Sequence, residues 1–119
     1  MIELVLAFLL VAAPGDFRVV DGDTLAFGNE RIRLHGIDAP EMDTKAGRAA
    51  KAFVESILSV RGLRCMDPNN AGIASRDRYG RLVLRCELDD GTDLACLIVK
   101  SGHGVDAPRY SKGRYAGCK

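Results

Sequence analysis

Apolar residues change their spacing along this sequence, and the order of the changes limits the folds that the chain can adopt. Three short β-branched runs come first, and the dipeptides Asp21-Gly22 and Gly28-Asn29 between them are typical of hairpin turns. These runs predict strands at residues 17–20, 24–27 and 31–37. Within residues 44–60 the apolar side chains instead recur every three or four positions, which places them on one face of a helix.

The rest of the chain continues with strands and then a helix. Two further strands are predicted at residues 63–66 and 79–88, on either side of a loop rich in proline, asparagine and glycine. Asp93 is positioned to cap a second helix, which ends at Gly102. Five strands with two to three helices in this order indicate an α+β, mainly β, fold. We predict an OB-fold, a five-stranded Greek-key barrel that commonly binds nucleic acids on one face.

Length and charge limit both the number of domains and the mode of binding to nucleic acid. A chain of 119 residues with 47% hydrophobic content is enough for one domain with its own core. Its 17 basic and 16 acidic side chains give a formal net charge of +1. A protein that coats nucleic acid needs a surplus of Lys and Arg to neutralise phosphates. Any contact with a polyanion must therefore be local.

The first 13 residues differ in composition from the rest of the chain. An apolar run from Leu4 ends in small residues at Ala13, which is the pattern of a signal-peptide core with its cleavage site. The run is too short to span a bilayer, which takes ~20 residues. We therefore expect a signal peptide at residues 1–13 and a domain at residues 14–119 that is secreted or periplasmic, without stable membrane association after processing. The alternatives are a buried strand, an uncleaved anchor and a cytoplasmic protein.

Four cysteines form an even set in this small domain, which favours an oxidising compartment. The sequence has no Cys-x-x-Cys pair, so a structural zinc site is not expected. Of the three possible pairings we favour Cys65 with Cys86, because each lies in a predicted strand and neighbouring antiparallel strands bring Cα atoms within disulfide reach. The alternative is a set of buried free thiols in a cytoplasmic protein.

Acidic and basic residues are concentrated in three short segments at the edges of predicted strands. Taken alone, each segment has an ordinary structural interpretation. They are a hairpin turn at residues 20–24, a strand at residues 33–41 that ends in two carboxylates around Pro40, and a basic turn at residues 77–81. Hydrolysis of an anionic phosphodiester, however, requires groups that neutralise charge on the phosphoryl oxygens and a base that deprotonates water. Arginines beside carboxylates suit that chemistry.

Together and in this order, the three segments resemble the active-site residues of the staphylococcal nuclease family, whose barrel is an OB-fold. The resemblance covers residues 17–102 and is weaker from Val105 onward. It implies that Asp23 and Asp38 are carboxylate ligands of a calcium ion, with the backbone carbonyl of Ala39 as a further ligand. Two carboxylates and a carbonyl leave room for water and a phosphate oxygen, because calcium takes about six to eight oxygens.

The same resemblance assigns the catalytic roles. Glu41 would be the general base that activates water, and Arg33 and Arg81 would clamp the phosphate. Arginine fits this role because its planar fork bonds two phosphate oxygens at once. The implied activity is calcium-dependent endonucleolytic hydrolysis of DNA and RNA with low sequence specificity, by a protein that we expect to be a monomer.

The sequence departs from the family pattern in three places. Ala39 stands where the family usually has threonine, but only its carbonyl is needed for the metal. A tyrosine that would stack on a substrate base is not evident after Gly102, and Tyr79 and Tyr110 are the candidates for that contact. The sequence ends at Lys119, so we expect a truncated C-terminal helix.

Two other classes of protein share some of these features. A non-catalytic OB-fold module would hold single-stranded nucleic acid by stacking and charge without cutting it. Asp23, Asp38 and Glu41 argue against this alternative, because carboxylates repel phosphates unless a cation is present. A calcium-stabilised structural domain would explain the carboxylates but not Arg33 and Arg81.

Overall fold

The strands of the chain form a curled, mixed sheet that is accompanied by three helices in the computed structural model, which describes residues 9–69 and 74–119. In chain order the elements are β1 (Leu9–Ala12), β2 (Arg18–Asp21), β3 (Thr24–Phe27), β4 (Glu30–Leu34), β5 (Ile37–Asp38), α1 (Lys45–Leu58), β6 (Leu63–Met66), β7 (Ser75–Arg76), β8 (Leu82–Leu88), α2 (Leu94–Lys100), β9 (Val105–Asp106) and α3 (Pro108–Ser111). This mainly β architecture is consistent with an OB-fold.

The sheet brings distant parts of the chain together. Six strands follow one hydrogen-bonded path in the order β1-β6-β8-β4-β3-β2, and β7 pairs with β8. The neighbours are antiparallel except for β4 and β8, which run parallel with Ile32 opposite Leu82. A separate antiparallel pair is formed by β5 and β9. The parallel contact places the end of β4 beside the start of β8. Arg33 lies near the end of β4 and Arg81 directly precedes β8, so the two predicted phosphate-binding arginines lie at neighbouring strands.

Several predicted elements match the structure, and one strand is interrupted. Residues 24–27 and 63–66 form strands with the predicted bounds. The strand predicted at residues 31–37 is split, because Gly36 adopts φ +85° and separates β4 from β5. A Cβ on Gly36 would lie 2.8 Å from the ring of Tyr115, so only glycine fits there. The described residues form nine strands, and the predicted five-stranded Greek-key detail is not confirmed.

Helix α1 covers the sheet with most of the face that the sequence predicts, although Ala46 and Ala49 of that face are exposed. Thr44 caps its N-terminus, and the Thr44 hydroxyl accepts a hydrogen bond of 2.9 Å from the backbone N–H of Gly47. Ala50, Val54 and Leu58 are buried along one side. The remaining core consists of apolar side chains from the strands and from α2, among them Leu25, Ile32, Leu34, Leu84, Leu94 and Ile98.

Two disulfides cross-link the domain. Cys65 and Cys86 are directly opposite each other on β6 and β8, with a Cα–Cα distance of 4.0 Å, so the predicted pair is present. The second disulfide joins Cys96 on α2 to Cys118 near the C-terminus. The two links have sequence separations of 21 and 22 residues, so the chain-entropy model assigns them similar stabilisation, about 3 kcal/mol each.

The segment predicted to end a signal peptide lies partly in the described structure. Residues 1–8 lie outside it, and β1 pairs antiparallel with β6, with Ala12 opposite Leu63. Cleavage after residue 13 stays a prediction. In the described ranges, no helix has the length and apolar character needed to cross a bilayer.

Candidate active site

Asp23 lies in the turn between β2 and β3 and is buried. Its Oδ2 accepts a hydrogen bond of 2.8 Å from the backbone N–H of Ala39, directly after β5. Its Oδ1 accepts a hydrogen bond of 3.2 Å from the hydroxyl of Thr24, and its own backbone N–H donates to Asp21 Oδ1 at 3.0 Å. These contacts fix the carboxylate and tie the β2–β3 turn to the end of β5.

The surroundings of Asp23 disfavour its charged form. Burial raises the pKa of Asp23 from 3.8 to about 6, and a hydrogen bond to the side chain of Asp21 also raises it. The positive charge of Arg33 and the backbone N–H of Ala39 act in the opposite direction without cancelling the rise. A cation bound beside Asp23 would offset this penalty, since it favours the carboxylate over the protonated acid.

Arg33, near the end of β4, connects the two carboxylates among the predicted metal ligands. Its Nη2 donates to Asp38 Oδ1 at 2.7 Å, and its Nη1 lies 3.5 Å from Asp23 Oδ2. Its Nη1 also donates to the carbonyl of Leu34 at 2.9 Å. The Arg33 side chain is 20% exposed, whereas that of Asp38 is 61% exposed. One side of this cluster is therefore open to a ligand from solvent.

Glu41 lies in the loop between β5 and α1 and is exposed. Its backbone is held by α1, because its carbonyl accepts hydrogen bonds from the Thr44 N–H at 3.0 Å and the Thr44 hydroxyl at 2.6 Å. A Cβ on Gly47 would overlap this same carbonyl. The first turn of α1 therefore fixes the backbone from which the Glu41 carboxylate projects.

We expect Gly47→Ala to destabilise the domain by about 1–3 kcal/mol, because the added methyl group has no space beside the Glu41 carbonyl. The matched control is Gly117→Ala, where a Cβ meets no atom within 4 Å. Urea unfolding of both variants measures the difference. Equal stability of the two variants would contradict the close packing of Glu41 on α1.

Arg81 directly precedes β8 and is held on two sides. Its Nε donates to Asp77 Oδ2 at 2.7 Å, and its Nη1 donates to the Thr24 hydroxyl at 3.3 Å. Thr24 in turn donates to Asp23, so a chain of hydrogen bonds connects Arg81 with the buried carboxylate. The guanidinium is thereby oriented before any ligand binds.

A groove of about 630 Å³ brings most of the predicted site residues together, a size within the usual range of ligand pockets. Arg33, Asp38, Arg81, Tyr79 and Tyr110 line it. The charged residues and the two candidate stacking residues, which are far apart in the sequence, therefore face one space.

The remaining predicted residues, Asp23, Ala39 and Glu41, do not line the groove. Asp23 is connected to the wall through Arg33, and Ala39 is connected to Asp23 by its backbone N–H. Glu41 follows two residues after Ala39 in the same loop and is not part of the groove lining.

Two arginines at the groove were missed by the sequence analysis. Arg78 donates to the Tyr79 hydroxyl at 2.8 Å and lies 5.0 Å from the centre of that ring, and Arg109 lies 5.5 Å from the centre of the Tyr110 ring. Both tyrosines are well exposed, at 69% and 60%. The sequence does contain a pattern that could have indicated them, because each tyrosine of this chain directly follows an arginine. Each pair presents a cation and a flat ring to the groove.

The side chains of the site supply only some of the oxygen ligands that a hard cation requires. Among residues 9–69 and 74–119, no group of three or more His, Cys, Asp or Glu side chains is placed to hold a metal ion. Asp23 and Asp38 offer carboxylate oxygens, which are the donors that calcium prefers. Backbone carbonyl, water and phosphate oxygens would have to complete the shell.

Comparison with known proteins identifies the family. Residues 31–116 match the family described as staphylococcal nuclease homologue, and the chain belongs to this family. The predicted resemblance is thereby confirmed.

Three relatives illustrate the range of the family. The succinoglycan biosynthesis protein ExoI of Rhizobium meliloti (strain 1021) is 34% identical over 112 residues, covering 86% of this chain and 56% of the relative. An uncharacterized endonuclease of Escherichia coli O157:H7 is 32% identical over 89 residues, covering 71% and 54%. Endonuclease YhcR of Bacillus subtilis (strain 168) is 28% identical over 109 residues, covering 78% and 8%. The chain thus spans about half the length of the first two relatives.

Proposed function

We propose that this protein is a calcium-dependent nuclease that hydrolyses phosphodiester bonds in DNA and RNA with low sequence specificity. The observation that carries the proposal is the convergence of Arg33, Asp38 and Arg81 on one groove, with buried Asp23 in contact with Arg33. Family membership supports it, as do the relatives named endonucleases. We also propose that nucleic acid, rather than another polyanion, is the substrate.

Asp23, Asp38 and the carbonyl of Ala39 would hold the calcium ion. When bound, calcium supplies positive charge next to the phosphate and lowers the repulsion between substrate and carboxylates. Arg33 contacts both carboxylates in the structure. With their charge balanced by a cation instead, the Arg33 guanidinium would be available to bind a phosphate oxygen.

Arg81 would stabilise charge that develops on the phosphoryl group. Asp77 and Thr24 already fix its guanidinium, so little reorganisation is required when the transition state forms. Both arginines can bind two phosphate oxygens through parallel N–H donors, which a lysine cannot do.

Glu41 would accept the proton from the attacking water. It follows Asp38 by three residues, and Pro40 restricts the backbone between them. The exposed position leaves the carboxylate accessible to water, and the α1 contacts hold its backbone in place.

Tyr79 and Tyr110 would stack on bases at either side of the scissile bond. Stacking on an exposed ring tolerates every base and contributes about 1–3 kcal/mol per base, which suits low sequence specificity. The neighbouring Arg78 and Arg109 add positive charge for the backbone of the same strand.

We infer that the curled sheet is the OB barrel of the family and that the protein acts as a monomer. Two disulfides support export to an oxidising compartment, either the periplasm or the medium. Removal of residues 1–13 on export would take away β1 and leave β6 as an edge strand of the sheet.

A non-catalytic module that binds single strands is the second candidate. The exposed Arg78–Tyr79 and Arg109–Tyr110 pairs favour it, since cation and ring would serve a binder equally well. A binding module would gain nothing from a buried carboxylate at Asp23, because burying a charged group costs free energy.

Incubation with plasmid DNA and with RNA separates the two candidates. We expect degradation of both substrates with calcium, none with excess chelator, and poor activity with magnesium, because magnesium prefers a tight octahedral shell. The control is chelator followed by excess calcium, which should restore cleavage. Full activity in chelator would exclude calcium dependence, and binding without cleavage would support the module.

A further inference from the structure

The strand that carries Asp38 has only two residues, and the C-terminal part of the chain holds it. Within the described part of the chain, the strand paired with β5 is β9, with Val105 opposite Asp38 and Asp106 opposite Ile37. The N–H of Ala107 donates to the carbonyl of Gly36 at 2.8 Å, immediately before β5. The backbone of the Asp38 strand therefore depends on residues 105–107.

Close packing reinforces this pairing. A Cβ on Gly104 would lie 3.2 Å from the backbone carbonyl of Asp38, so the two backbones are in contact. A Cβ on Gly36 would lie 2.9 Å from the Cβ of Ser111 and 2.8 Å from the ring of Tyr115. The turn that leads into β5 is thus covered by the C-terminal segment.

Tyr115 anchors that segment to the domain. Its side chain is almost fully buried, and its hydroxyl donates to Asp93 Oδ2 at 3.0 Å. Asp93 also caps α2, because its Oδ1 accepts a hydrogen bond of 3.2 Å from the N–H of Cys96. Cys118 is bonded to Cys96 itself. Tyr115 and Cys118 therefore both attach the segment to the start of α2, whose apolar side is in the core.

We propose that residues 105–118, which we call the tail, are a positioning element for Asp38, held in place by Tyr115 and the Cys96–Cys118 disulfide. This inference rests on the proposed function, in which Asp38 is a calcium ligand. When the disulfide opens, the tail loses its covalent attachment and β5 is paired less firmly. The Ala39–Asp23 hydrogen bond and the contacts of Arg33 are then left to hold Asp38 near Asp23. Calcium binding and cleavage then weaken while the domain stays folded.

The two disulfides differ in their exposure to a reductant. Cys65 and Cys86 are buried, at 0% and 1% exposure, whereas Cys96 and Cys118 are half-buried. A dithiol reductant in solution therefore reaches Cys96–Cys118 first. The exchange converts this disulfide into two thiols, and the dithiol closes to its own disulfide, having given up two electrons and two protons. The tail thus makes activity sensitive to dithiols.

The test compares two double variants that each remove one disulfide, Cys96→Ala with Cys118→Ala and Cys65→Ala with Cys86→Ala. The loops are nearly equal in length, so the chain-entropy model predicts a similar loss of stability for both. Calorimetric titration with calcium chloride and hydrogen exchange of residues 36–39 are measured on each variant and on the wild type. Tyr115→Phe, which keeps the ring and removes the hydroxyl, is a third variant that retains the tether.

We expect the calcium dissociation constant to rise at least tenfold and exchange at residues 36–39 to accelerate at least tenfold only when Cys96–Cys118 is absent. Tyr115→Phe should shift both quantities in the same direction by a smaller factor. Folded wild-type protein treated with a dithiol should behave like the Cys96/Cys118 variant, so the result holds even if that variant folds poorly. Equal changes in both double variants, or no change in either, would overturn the proposal. If the wild type neither binds calcium nor cleaves nucleic acid, the proposed function fails, and exchange at residues 36–39 still decides whether the tail positions β5.

Discussion

Glu41→Gln is expected to lower the cleavage rate by about two to four orders of magnitude while nucleic-acid affinity stays nearly unchanged. The amide has almost the same shape as the carboxylate but cannot accept the proton of the attacking water. Glu41 is exposed and its backbone is fixed by Thr44, so the substitution should not disturb the fold. Two quantities are measured, the single-turnover rate at saturating calcium and the equilibrium affinity for a short single strand.

The matched control for this substitution is Glu55→Gln. Glu55 is also an exposed glutamate that does not line the groove, and it lies on α1 rather than in the loop that follows Asp38. Glu55→Gln should change neither the single-turnover rate nor the affinity for the single strand. A non-catalytic binding module would show a different pattern, in which Glu41→Gln leaves function unchanged or tightens binding by removing a negative charge. Wild-type cleavage by Glu41→Gln would refute the assignment of the base.

Arg81→Ala is expected to reduce the cleavage rate by about a hundredfold or more, corresponding to about 3 kcal/mol of transition-state stabilisation. The reason is that its guanidinium is oriented by Asp77 and Thr24 before substrate binds. Arg81→Lys should recover only part of the rate, because a lysine retains the charge but lacks the planar fork. Affinity for a single strand should weaken much less than the rate. Arg33→Ala should act in the same direction.

Arg64→Ala is the control for lost surface charge. Arg64 is an exposed arginine bonded to Glu87 at 2.9 Å, and it is not part of the groove wall. Its removal should leave the cleavage rate within a small factor of the wild type. If Arg81→Ala weakened binding as strongly as it slowed cleavage, the arginine would serve ground-state binding, as a binding module requires.

Local sequence patterns were sufficient to predict much of the fold. The spacing of Ala50, Val54 and Leu58 predicted the buried face of α1, and Asp93 was recognised as the cap of α2. Such features depend on neighbours in the sequence. The break at Gly36 was not predicted, because it depends on Tyr115, which is distant in the sequence and packs against the turn.

Most residues of the candidate site could be predicted from the sequence, but the contacts between distant residues that assemble the site could not. Residue types and their order carried the family resemblance that pointed to Asp23, Asp38 and Arg81. The sequence did not reveal that Arg33 bridges both carboxylates, because this contact depends on how the β2–β3 turn meets β5. It also gave no sign that the chain returns from α2 to support β5, since the β5–β9 pair has only two residues on each strand.

The central claim is tested most directly by the cleavage rate of an end-labelled single-stranded oligonucleotide during a calcium titration. A calcium-dependent nuclease should show a rate that rises and saturates with calcium, falls to background in chelator, and returns when calcium is restored. Asp38→Asn should require a higher calcium concentration for half-maximal rate, because one carboxylate ligand is lost. A rate that persists in chelator, or a strand that is bound but not cut at any calcium concentration, would contradict the proposed function.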